Sequence, residues 1–188
     1  MIDGGGGGQN MESYTLAYYF AAYHTETDAW EKRGQKGYLF TIGDEKPWPT
    51  VTRQEAQKLF GVTAEKDETV EDLLALVQEK WEVFHIIPLT STGRDLEIQQ
   101  RWTDLLGERR VLLDNTDILP ETIASLIYAL ETAASIDSVV DATGLKGDKA
   151  TSLKNALVPV LASRLPSHLA TGNLPSAHKG GKGGVTRV

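Results

Sequence analysis

The sequence predicts a three-layer, Rossmann-like α/β fold: a parallel sheet of about three strands with helices on both faces. Two observations lead there. Short apolar runs at 38–42, 82–88 and 110–114 alternate with amphipathic helical patterns, as in βαβ units. The first run, Tyr38-Leu39-Phe40-Thr41-Ile42, follows a glycine turn and stops at Gly43-Asp44-Glu45. It reads as a buried parallel strand that delivers two carboxylates to a loop. Open α/β sheets bind ligands at the carboxyl ends of their strands, so function is expected at this end.

The 188 residues are 40% hydrophobic, enough for one core and a tail. The formal charge of -7 argues against nucleic acid or an anionic membrane as partner, and suits a cation site. Without cysteine there is no thiol chemistry, disulfide or zinc–thiolate site. No apolar run approaches the roughly 20 residues of a membrane helix. No signal-peptide pattern is present, and the expected location is cytoplasmic.

The elements follow in order. Gly4 to Gly8 form a glycine run that lacks the Gly-Lys-Ser/Thr ending of a P-loop. Asn10 is the expected N-cap of a helix over 11–24, with Glu12 in its first turn. On that helix Leu16, Phe20 and Tyr23 share one face, and Tyr14 and Tyr18 another. Residues 26–36 read as a polar loop carrying Trp30. After the first strand, Lys46-Pro47-Trp48-Pro49 breaks regular structure. Thr52 and Glu55 form a capping box for a helix to Phe60. A second helix spans 68–80, with Val70, Leu73, Leu74 and Val77 inward.

The strand at 82–88 contains His85, whose apolar flanks mark it as a core histidine. A helix at 95–106 and a strand at 110–114 come next. The helix at 117–134 carries Pro120 in its first turn. The α/β domain is therefore placed at 1–134. Residues 135–163 form a short helical extension around Gly144 and Gly147. Residues 164–188 are expected to be disordered.

Nucleophilic catalysis has little support, because no Gly-x-Ser-x-Gly elbow occurs. Oxygen-rich residues offer a hard-cation site instead: Glu12 and Ser13 at a helix start, Asp44 and Glu45 at a strand end. The plainer alternative has Glu12 complementing the helix dipole and Asp44 capping a turn. Residue types alone leave both open.

The glycine run with Gln9-Asn10-Met11-Glu12-Ser13-Tyr14, followed by a strand ending Ile42-Gly43-Asp44-Glu45, resembles the second half of a von Willebrand factor A domain. The likeness covers about residues 4–130. The resemblance implies a metal-ion-dependent adhesion site holding Mg2+ or Ca2+, with Glu12 as second-loop ligand and Asp44 as fourth-strand aspartate. Ser13 and Glu45 would lie beside them. The family's Asp-x-Ser-x-Ser motif is absent, so the chain corresponds to a domain without its N-terminal half, with Met1 standing at an internal methionine or at the start of a remnant. The expected function is then a non-enzymatic protein-interaction module with a partial site that binds divalent cations weakly. Its partner would be a protein. The strand at 38–42 would lack its central neighbour and expose an edge that invites self-association. The alternatives are a small metal-dependent hydrolase and a remnant that associates through that edge.

Overall fold

The computed structural model describes residues 11–163. The expectations for the glycine run, for Asn10 as a cap and for the tail lie outside the described residues. In chain order the elements are β1 (Met11–Glu12), α1 (Tyr14–Tyr23), α2 (Asp28–Arg33), β2 (Gly37–Ile42), β3 (Lys46–Pro47), β4 (Thr50–Val51), α3 (Arg53–Phe60) and β5 (Glu68–Thr69). There follow α4 (Val70–Lys80), β6 (Trp81–Pro88), α5 (Leu96–Leu106), β7 (Arg110–Leu113), α6 (Leu119–Thr132), α7 (Ile136–Thr143) and α8 (Asp148–Ala162).

The fold is α/β. The main sheet has the order β2-β6-β7, with all neighbours parallel. Gly37–Ile42 pairs with Trp81–Ile86, and His85–Pro88 pairs with Arg110–Leu113. These are the three apolar runs singled out in the sequence. Strand β2 is an outer strand, and no described strand lies beyond it. Two short ladders complete the pairing: β1 runs parallel to β3, and β4 antiparallel to β5.

Side-chain alternation along the strands divides the interior into two cores. On one face Leu39, Val83 and Ile87 pack with Tyr18, Leu73, Val77 and Trp102 from α1, α4 and α5. On the other, Phe84, Ile86, Val111 and Leu113 pack with Leu126, Val139, Leu153 and Leu157 from α6, α7 and α8. Helices therefore cover both faces. The segment at 135–163, expected as an extension, supplies two of the three helices on the second face. No helix among the described residues is long and apolar enough to cross a membrane.

Local signals set most helix ends. The Thr52–Glu55 capping box opens α3, and Gly61 closes it at φ 71°. Asp95 caps α5, and Ser135 caps α7.

Two expectations are corrected. Helix α1 begins at Tyr14, not Met11, because Met11 and Glu12 pair with Lys46 and Pro47 as a strand. Glu12 is thus outside the helix. The polar loop at 26–36 contains α2, capped by Thr27 and ended by Gly34 at φ 61°; its six residues bury no side chain, so it has no apolar period to read. On α1 the buried residues are Tyr14, Thr15, Tyr18, Tyr19 and Ala21, whereas Phe20 and Tyr23 are about half exposed.

Leu157 is fully buried against the second face of the sheet. Leu157→Ala is expected to cost about 3 kcal/mol in urea unfolding, as for other large-to-small core changes. Thr52→Ala, which removes only a cap, is expected to cost about 1 kcal/mol.

Candidate functional site

The site forms at the carboxyl end of β2, and a buried polar chain beneath it sets its geometry. His85 is fully buried in β6 and stacks on Trp102, with ring centroids 3.5 Å apart. Its Nε2 lies 3.1 Å from the Gly43 carbonyl oxygen, and its Nδ1 lies 2.8 Å from Thr41 Oγ1. A carbonyl only accepts, so Nε2 carries the proton and Nδ1 accepts from Thr41. Thr41 Oγ1 in turn accepts from the Tyr18 hydroxyl at 2.9 Å. The chain runs Tyr18 to Thr41 to His85 to Gly43, and every member has a partner. This arrangement requires a neutral imidazole. Burial lowers the His85 pKa to about 3, and the bond to Gly43 only partly opposes that. Burial likewise pushes the Tyr18 hydroxyl up.

The loop after β2 is held at each residue. His85 takes the Gly43 carbonyl, and Trp102 Nε1 donates to the Glu45 carbonyl at 2.9 Å. Thr90 Oγ1 donates to Asp44 Oδ2 at 2.5 Å. The Tyr14 ring meets His85 and Trp102 edge-on, at 4.9 Å and 5.4 Å. Its hydroxyl lies directly under Gly43, where a side-chain carbon on residue 43 would collide with it. Glycine is required here by close approach, not by its backbone angles.

Glu12 reaches this loop through β1, whose pairing with β3 continues in a bond from Trp48 N–H to the Glu12 carbonyl at 3.2 Å. Glu12, Asp44 and Glu45 are all half-buried. Burial first, then Glu12 and Asp44, push the Glu45 carboxyl up. Burial first, then Glu12, push the Tyr14 hydroxyl up. That hydroxyl faces Glu12, but no contact of it meets hydrogen-bond geometry. Glu45 Oε2 is also buried without a partner.

The structure thus brings together Glu12, Asp44 and Glu45, three of the four residues singled out in the sequence. Ser13 takes the N-cap position of α1, and its side chain makes no cap hydrogen bond. Among the described residues, no group of three or more His, Cys, Asp or Glu is placed to hold a metal ion. The carboxylates feel one another without converging on one point, so they do not by themselves fit a bound cation.

His85 is a core histidine, as its apolar flanks suggest. Thr90 and Trp102 were not singled out in the sequence, and Tyr14 was placed on a helix face and in the Gln9–Tyr14 motif but not in a site. Trp102 had a readable signal: it stands four residues from both Ile98 and Leu106, on the buried face of α5. Thr90 had none, because its role depends on a contact 46 residues away. No family model, curated protein or solved structure matches this chain.

Two predictions follow from the buried cluster. Gly43→Ala is expected to cost about 1–3 kcal/mol through overpacking against Tyr14. Tyr14→Phe in the same chain should return part of that loss; urea unfolding of the two single variants and the double variant checks the coupling. The His85 pKa falls on folding, so its neutral state favours the fold most above the unfolded value of 6.5. That contribution is lost as pH drops from 6.5 toward about 3, because the unfolded chain gains a proton that the folded one refuses. NMR should show His85 ring nitrogens unchanged between neutral pH and about pH 5 while stability declines.

Proposed function

We propose that this chain is a non-enzymatic protein-interaction module, a partial von Willebrand factor A-like domain with a Rossmann-like sheet. Its contact face is the acidic end of β2. The observation that carries this reading is the approach of Glu12 to Asp44 and Glu45 across 32 residues of sequence, at the carboxyl edge of a parallel sheet. The order β2-β6-β7 supports it, because consecutive parallel strands on one side are what the fourth, fifth and sixth strands of that family would form. The buried groups beside the carboxylates also support a non-catalytic role. His85 is held neutral with both ring nitrogens engaged, and the Tyr14 hydroxyl is held protonated.

In the adhesion reading a divalent ion would join the module to a carboxylate on its partner. By that resemblance Glu12 and Asp44 would supply two ligands, fewer than a tightly held ion needs. The chain alone should then bind the ion weakly. One observation favours the hydrolase alternative: the upward push on Glu45 suits a general acid. Among the described residues, the neighbouring histidine, His85, has both ring nitrogens engaged and is not free to serve as its base.

Manganese can stand in for magnesium as a paramagnetic probe. Millimolar Mn2+ is expected to broaden the NMR amide signals of Glu12 and Gly43–Glu45, and Asp44→Ala should remove the effect. Broadening centred elsewhere, or micromolar affinity, would sink this reading.

A further inference from the structure

The helices on the second face of the sheet leave an apolar groove where the end of α6, the start of α7 and the last turns of α8 meet. Its volume is about 660 Å3, and its walls include Ala133, Ala134, Ile136, Val158, Leu161 and Ala162. That is roughly four times the 150 Å3 cavity that can hold a benzene ring. Ser135 is the single polar side chain on the lining, and it is engaged as the cap of α7. The groove therefore suits aliphatic side chains. Val158 is 43% exposed there, although its helix buries Leu153, Leu157 and Val160. Ala133 closes α6 at φ 53°, whereas α2, α3 and α7 close on glycine in the same left-handed region. A methyl group is thus kept on the groove wall where the backbone favours glycine.

Three features choose the occupant. The first is position. Leu161 and Ala162 end α8 and form part of the wall, and the described residues stop at Ser163. Residue 164 therefore follows from the rim of the groove. The second is composition. The sequence continues Arg164-Leu165-Pro166-Ser167-His168-Leu169-Ala170-Thr171-Gly172-Asn173-Leu174-Pro175-Ser176, with Leu-Pro-Ser at each end and a third leucine between. An extended chain covers about 3.3 Å per residue, so all three leucines are within reach of the groove. The third is charge. Residues 164–188 carry four Lys or Arg and no Asp or Glu, whereas the whole chain has a formal charge of -7. A second copy would bring the same net negative charge to the contact, and like net charges oppose association. The segment after α8 brings the opposite sign. It is also tethered, and a short flexible tether holds a segment at an effective concentration on the order of millimolar.

We propose that the groove between α6, α7 and α8 is the docking site for this chain's own segment Leu165–Leu174, seated through its leucines. The site lies on the second face of the sheet and stands or falls independently of the contact face at β2.

The test uses the full chain. It has no cysteine, so Ser176→Cys gives one site for a nitroxide spin label. The label is expected to broaden the methyl signals of Ala133, Ile136 and Val158 well beyond those of Val51 and Leu74, which lie in the core on the first face. Leu169→Asp/Leu174→Asp should abolish that contrast. Leu169→Ser/Leu174→Ser should do the same without adding charge. Uniform broadening, or a contrast that survives both leucine variants, would overturn the proposal. The same contrast on unlabelled chain mixed with spin-labelled chain would make the occupant a second copy and overturn it. Recovery of an equimolar apolar compound by organic extraction of the purified chain would overturn it as well.

Discussion

The neutral imidazole of His85 is the constraint on which the site depends. It sits at the centre of the sheet, where a charge would be costly and an unmet nitrogen nearly so. Thr41 from β2 supplies the donor it needs, and the Gly43 carbonyl supplies the acceptor. The same two bonds fix where β2 ends and how its last peptide is turned. The direction of Asp44 and Glu45 is therefore set from below, by a residue that never meets solvent. Trp102 reinforces this from α5, stacking on the imidazole while its indole N–H holds the Glu45 carbonyl. Buried networks of this kind specify one arrangement when every member is satisfied.

The two faces of the sheet divide the work. One face gathers α1, α4 and α5 and carries the aromatic and polar groups that shape the mouth. The other packs Phe84, Ile86, Val111 and Leu113 beneath α6, α7 and α8, whose buried polar side chains are Thr122, Ser125 and Ser152. Stability and site geometry thus rest on different side chains. The first core contains the polar relay and the second does not, so changes in α8 should act on folding without altering the orientation of the carboxylates.

At the mouth the balance of forces is different. Glu12 stands on the short β1–β3 pairing, and the Asp44–Glu45 loop is held by the bonds that His85 and Trp102 make to the carbonyls of Gly43 and Glu45.

The sequence by itself determined the elements whose signals are local. Strand runs at 38–42, 82–88 and 110–114 were legible because each is a short apolar run set between helical patterns. The ends of α3, α5 and α7 were legible because Thr52, Asp95 and Ser135 are good caps. The nature of His85 was legible from its apolar neighbours, and the acidic turn at 44–45 from its place after a strand. Tertiary structure decided the rest. The start of α1 moved to Tyr14 because β1 found a partner in β3, a pairing no local pattern announces. Phe20 and Tyr23 look like core residues by type, but the sheet lies on the Tyr14–Tyr18 side of α1, and packing overrides periodicity where aromatics occur on both faces. Which carboxylates meet, and what holds them, was fixed only when Thr41, Tyr14, Thr90 and Trp102 came together from four separate segments. Long-range contacts of that kind have no one-dimensional signature.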